Sequence, residues 1–272
     1  MHSPLAIPDD LQALEGNFWS LWSRFGRGQG CTLHDTPVAT YFDTPIPTLP
    51  YNTVIRFRAE ADADKHIAEI LHHYRRRNVP CAWIVHPSAR PLDLPERLKA
   101  HGLEEVEICP GMTRDLGADL PAPAALPPGY VVEEVDGAHE RIEFLNLVAW
   151  RWHVPAAARP PLSEIAAAFA IGEQGSPIRA WLARKGGEPV AKLLINLDHD
   201  VCGIYGVATR PEARGHGLAH ILALTALHAA RDAGCKRAIL HSTPMAQPIY
   251  ESIGFRDRLP FAIFAPPGAL HV

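Results

Sequence analysis

Residues 206–222, Gly206-Val-Ala-Thr-Arg-Pro-Glu-Ala-Arg-Gly-His-Gly-Leu-Ala-His-Ile-Leu222, decide the fold. A strand-like run ends at Thr209, Pro211 stops it, and Gly215-His216-Gly217 turns the chain into an amphipathic helical pattern. That pattern runs to Ala233, with Gly234 as its C′ residue. The first amides of a helix have no intrahelical partner, and the helix start carries about half a positive charge, so such a turn favours an anion. Glycines let the backbone approach that anion without a Cβ in the way. Arg214 adds a fixed positive charge at the entry.

Working outward, the same unit contains more strands. Tyr130-Val-Val-Glu-Glu-Val135 alternates as a strand with one buried face. Two apolar runs, Ile178–Arg184 and Pro189–Leu197, flank Lys185-Gly-Gly-Glu188, a hairpin signal. His199 and Asp200 turn the chain into a third run, Val201–Thr209. Helices are expected over His139–Trp152, Ser163–Ile171 with Ser163 as N-cap, and Gln247–Ile253. Strands are expected over Arg237–His241 and near Phe261–Phe264. The order is strand, two helices, three strands, helix, strand, helix, strand, an α/β unit.

Three phosphate-binding loops compete for residues 214–219. A Walker A loop needs Lys followed by Ser or Thr after its last glycine, and Leu218 stands there. A dinucleotide fingerprint needs a glycine where His220 stands, and no acidic residue follows at the ribose distance near Cys235. The third reading fits at every position. Arg214-Gly-His-Gly217-Leu-Ala219 resembles the Q/R-x-x-G-x-G/A signature of the GNAT superfamily of N-acetyltransferases, and Ala246-Gln-Pro-Ile-Tyr250-Glu-Ser-Ile-Gly254-Phe255 resembles that family's closing segment. The resemblance covers residues 130–265.

The resemblance implies an acyl-CoA-dependent N-acyltransferase, with acetyl-CoA or another acyl-CoA as donor and the amine of a small molecule as acceptor, in one ternary complex. It implies that the amides of Val207, Ala208 and Thr209 pair with the pantetheine arm. Those of Arg214, Gly215, His216, Gly217, Leu218 and Ala219 would hold the pyrophosphate, and Tyr250 would protonate the departing thiolate. No general base is evident: Asp198, His199, His153 and His241 are candidates, and a water chain is another route. Trp150, Trp152 and His153 end the first helix, where such enzymes receive the acceptor. Acyl-CoA decarboxylation or hydrolysis on the same cradle, and a non-enzymatic CoA-binding regulatory module, remain alternatives. His216 and His220 lack the Glu of an H-E-x-x-H motif, and no metal site is read from the sequence.

The rest of the chain bounds this reading. It has 272 residues, a formal charge of −4, and no apolar run long enough for a membrane span. Neither nucleic acid nor membrane is an expected partner, and a monomer or homodimer is expected. Five scattered cysteines without a C-x-x-C pair point to a reduced, cytoplasmic protein. Leu116–Gly129, rich in Pro and Ala, reads as a linker between residues 1–115 and 130–272. Residues 51–115 repeat the later half of the second unit in outline: strand Asn52–Arg58, helix Asp64–Arg77, strand Cys81–Val85, then Leu94–Leu103 parallel to Gln247–Phe255. Carboxylates fill the 58–64 loop and Leu98 replaces Tyr250. Two GNAT-like domains are therefore expected, each a mixed, mostly antiparallel sheet flanked by helices, the first degenerate and shaping the acceptor site or packing on the second.

Overall fold

A computed structural model describes residues 9–117 and 119–269. In chain order the elements are α1 (Asp9–Trp22), β1 (Thr32–Asp35), β2 (Ala39–Asp43), β3 (Thr53–Phe57), α2 (Ala63–Arg76), β4 (Ala82–Val85), α3 (Leu94–Ala100) and β5 (Glu104–Asp115). After the Pro/Ala segment come β6 (Tyr130–Glu134), α4 (Ala138–Arg151), α5 (Arg159–Ala167), β7 (Ile178–Lys185), β8 (Glu188–Asp198), β9 (Val201–Thr209), α6 (Leu218–Asp232), β10 (Arg237–His241), α7 (Gln247–Ser252) and β11 (Arg256–Ala265). The described residues of 116–129 form neither helix nor strand.

The strands make one eleven-stranded, mostly antiparallel sheet in the order β1-β2-β3-β4-β11-β5-β10-β9-β8-β7-β6. The succession β-β-β-α-β-α-β occurs twice, in β1–β5 and in β7–β11. Apart from β6, the sheet order is the same from either end, with the antiparallel β5–β11 pair at its centre. Each half thus lends its last strand to the other: β11 lies between β4 and β5, and β5 between β11 and β10. The two expected sheets are one continuous sheet.

Local chemistry explains the differences from the sequence reading. Ser163 is not an N-cap; α5 starts at Arg159 because Pro160 and Pro161 suit a first turn, where no N–H needs a partner. β11 extends well beyond Phe261–Phe264 because it is paired on both edges. β5 escapes a pattern search because Pro110 and Gly111 interrupt it. In the sheet Pro110 faces Pro260. Two residues without N–H can oppose each other only as a non-hydrogen-bonded pair. Both also lie just past the paired residues of β10 and β4, where no neighbouring strand needs their donors.

Period-two alternation divides the core. Ile178, Ala180 and Leu182 of β7 pack with Phe144 and Leu147 of α4 on one face. Trp181 and Ala183 pack with Leu222 and Ala226 of α6 on the other. The first face is also covered by α1, which belongs to the other half. Asn17 of α1 donates through Nδ2 to the carbonyls of Asn196 (3.1 Å) and Val201 (3.0 Å), and its Oδ1 accepts from the Tyr205 hydroxyl (2.9 Å). Because Asn17 and Asn196 are buried, these bonds have no water to replace them. Asn17→Ala is therefore expected to destabilise the protein by about 2 kcal/mol or more in urea unfolding. A loss within experimental error would show that α1 is held by its apolar contacts alone.

Candidate active site

The strands β9 and β10 run in parallel only from Val201↔Arg237 to Ile204↔Leu240. Beyond that point β10 stays with β5, through His241↔Gly111, and Tyr205–Thr209 follows β8 instead. A gap opens between them, with one edge of Val207, Ala208 and Thr209 unaccompanied by a strand. Opposite β8 the ladder skips between Lys192↔Ala208 and Leu194↔Tyr205, a bulge at which Gly206 has φ +60°. A side chain is rarely tolerated in that backbone conformation.

The loop that leads from β9 into α6 lies past this gap. Arg214, Gly215, His216 and Gly217 are exposed, Leu218 is buried, and Gly217 caps the helix with φ +72°. The amides of residues 215–220 donate to no acceptor among the described residues, and α6 resumes its ladder with Ile221 N–H on Gly217 O. Space opposite the Cα of Gly215 and of Gly217 is open. Arg214 Nε donates to Thr209 O (3.3 Å), which keeps the guanidinium beside the loop. Free amides, a helix start and a cation together form a cradle able to hold an anion.

Tyr250 lies on α7 in the α6-side core, packed edge-to-face on Phe255. Gly254 (φ +89°) ends this helix, with Phe255 N–H on Tyr250 O. In the first half Gly102 (φ +86°) and Leu103 N–H on Leu98 O repeat the device, so Leu98 occupies the Tyr250 position. Burial raises the Tyr250 phenol to about 12, and it stays protonated at neutral pH.

On the opposite face is a side chain that the sequence reading passed over. Lys192 of β8 points towards α4 and α1 and is 1% exposed. Its Nζ donates to Gly206 O at the bulge (2.5 Å) and lies 5.2 Å from the centre of the Phe144 ring. No carboxylate pairs with it among the described residues. Burial, with a smaller contribution from Arg151, lowers its pKa to about 7. The available signal was a single lysine inside the apolar run Val190–Ile195.

Lys192 forms one wall of a cavity of about 130 Å³. Trp22, Phe25 and Tyr51 from the first half close it together with Phe144, Trp152, Phe169, Leu194 and Tyr205 from the second. The lining is almost wholly apolar. Trp152 reaches the cavity, Trp150 lies under the Arg210 guanidinium (5.5 Å), and His153 is exposed. Asp198 and the exposed His199 sit at the β8–β9 hairpin, at the far end of those strands from Gly206. His241 is half-buried near the gap, edge-on to Phe261 (4.3 Å), and desolvation of its ring drives it down to about 3. It is too weak a base at neutral pH.

Residues 142–255 match the family model described as the acetyltransferase (GNAT) family. No curated protein matches the chain. Among solved structures the chain is similar to a GCN5-related N-acetyltransferase from Kribbella flavida, with 18% identity, 94% of this chain and 96% of that one covered, and a TM-score of 0.69. A GCN5-related N-acetyltransferase from Sphaerobacter thermophilus has 14% identity, coverages of 94% and 89%, and a TM-score of 0.61. A tandem GNAT protein from the clavulanic acid biosynthesis pathway has 16% identity, 96% coverage of each chain, and a TM-score of 0.57. At these identities the likeness is one of fold.

Lys192 also links stability to pH. Its folded pKa, about 7, lies below the ordinary 10.5, so folding expels a proton between those values. Stability falls as the pH drops from 10.5 towards 7, and the penalty is complete below that. Lys192→Met is expected to raise the thermal midpoint over wild type at about pH 6, with the gain shrinking towards about pH 10. A difference independent of pH, measured by calorimetry, would mean that the amine is not neutralised on folding.

Proposed function

We propose that the protein, whose residues 142–255 match the acetyltransferase (GNAT) family model, is an acyl-CoA-dependent N-acyltransferase that moves an acetyl group to a small amine with an apolar body. The observation that carries this reading is the row of unpartnered amides at residues 215–220, set beyond the gap where β9 leaves β10. The loop 214–219 holds the pyrophosphate, and the free edge of Val207–Thr209 takes the pantetheine arm as an added strand. Bound acetyl-CoA supplies an activated thioester carbonyl. The chain supplies the proton transfers: neutral Lys192 accepts the proton of the incoming ammonium, and the Tyr250 hydroxyl gives one to the leaving sulfur. They lie on opposite faces of the sheet, so the two transfers do not compete for one site. A lysine near 7 is matched to a neutral working pH.

The apolar cavity supports an acceptor whose hydrocarbon part is buried and whose nitrogen reaches Lys192. We assign catalysis to residues 130–272 and read residues 1–115 as the half that closes the acceptor pocket. Its own loop 58–64 carries Glu60, Asp62 and Asp64 where an anion would bind, and Leu98 where Tyr250 would act. Five free cysteines support action in the cytoplasm, and no helix among the described residues is long and apolar enough to cross a membrane.

Thiol release from acetyl-CoA with a panel of aryl- and alkylamines tests the proposal. The rate is expected to rise with pH through a midpoint near 7. Lys192→Met should remove that limb and lower kcat by on the order of a hundredfold. Tyr250→Phe should lower kcat by roughly ten- to a hundredfold with little change in KM for acetyl-CoA. An unaltered pH limb in Lys192→Met would remove the lysine from the mechanism, and no thiol release with any amine would favour a binding module.

A further inference from the structure

The first half, stripped of the acyl-transfer residues, carries a different cluster. His34 on β1, Asp43 on β2 and His73 on α2 are far apart in sequence and converge in space. His34 Nε2 lies 2.9 Å from Asp43 Oδ2, and His73 Nε2 lies 2.8 Å from the same oxygen. The three side-chain atoms all lie within 4.8 Å of one another. We propose that His34, Asp43 and His73 form a binding site for a divalent transition-metal ion, with zinc the best-suited occupant, which clips the edge hairpin β1–β2 to α2.

The argument rests on how the ligands are held. In the β1–β2 register His34 faces Tyr41 and Thr32 faces Asp43, so His34 and Asp43 are diagonal neighbours on one face of the hairpin. The His34 ring stacks on Tyr41 with centroids 4.3 Å apart, and the two imidazoles meet edge-to-face at 5.3 Å. α2 is fixed over this face by the Tyr74 hydroxyl, which donates to Phe42 O (2.8 Å), and by Arg77, which donates to Thr44 O (2.9 Å). Arg77 also pairs with Asp43 Oδ1 (3.0 Å), which orients the carboxylate; His73 Nε2 reaches that oxygen too (3.0 Å), and both imidazoles share Oδ2. A guanidinium in that place acts on the ligand from outside, as partners of metal-bound carboxylates do.

The chemistry selects the ion. Two imidazoles and one carboxylate suit zinc, cobalt or nickel over calcium or magnesium, which take oxygen ligands. At metal–ligand distances of about 2.0–2.2 Å, donors around a tetrahedral ion stand roughly 3.3–3.6 Å apart, within reach of side-chain rotations from the present spacing. Binding replaces the hydrogen bonds to Oδ2: each Nε2 loses or transfers its proton and gives its lone pair to the ion. The Asp43 side chain is 11% exposed and the two histidines about a third or less, which leaves a side open for water as a further ligand. The site is remote in sequence from residues 192–250 and does not depend on the acyltransferase reading.

Titration of the metal-free full chain with zinc by calorimetry, and with cobalt by visible absorption, tests this. One equivalent is expected to bind with micromolar or tighter affinity, raise the thermal midpoint, and give cobalt d–d bands. His34→Ala and His73→Ala should each weaken binding at least tenfold, whereas His72→Ala, an exposed neighbour on α2, should leave it unchanged. Circular dichroism of the metal-free variants checks that they remain folded. No binding by the wild type, or equal binding by the His34→Ala/His73→Ala double variant, would overturn the site and leave an ion-pair network around Asp43.

Discussion

The pairing of β5 with β11 is the constraint on which the architecture depends. Each strand ends one half of the chain and completes the sheet of the other, so neither half has its full strand complement alone. The fit at the centre is close: a Cβ at Gly111 would meet the Phe261 ring at 2.5 Å. Its partners lie about 150 residues apart in the chain, so the pairing carries the loop-closure cost of a non-local contact. It fixes α1 over β8 and β9, and with it the aromatic wall of the cavity.

Duplicated geometry with divergent chemistry follows from the same arrangement. Gly102 and Gly254 end equivalent helices with equivalent hydrogen bonds, and Asp62 and Gly217, both in the left-handed region, precede α2 and α6. The backbone turn is retained while its charge is not. Around α6 the loop carries Arg214 and glycines; around α2 it carries carboxylates, one of which, Asp64, is engaged by Arg97 and by His101 (3.1 Å). The same turn therefore presents a cation and open glycines in one half and carboxylates in the other.

Much of this was legible in the chain where the deciding forces are local. The Gly186-Gly187 hairpin, the Gly217 cap and the Gly234 stop depend on backbone conformations that only a few residue types adopt, and they lie where the sequence indicates. β5 was hidden because Pro110 and Gly111 are tolerated only through contacts with Pro260 and Phe261, about 150 residues away. Lys192 was hidden for another reason. A lysine within a strand ordinarily marks a solvent-facing position, and only the covering by α4 and α1 turns it inward. The cavity could not be anticipated from residues 130–272 alone, since Trp22, Phe25 and Tyr51 come from the other half.

The proposed function requires that residues 214–219, at the exposed entry to α6, bind the pyrophosphate of an acyl-CoA. Calorimetric titration with acetyl-CoA, of the wild type beside Arg214→Glu, tests it most directly. One-to-one binding by the wild type is expected, weakened at least tenfold in a variant of unchanged thermal stability. Absence of binding by the wild type, or equal affinity in the two proteins, would contradict it.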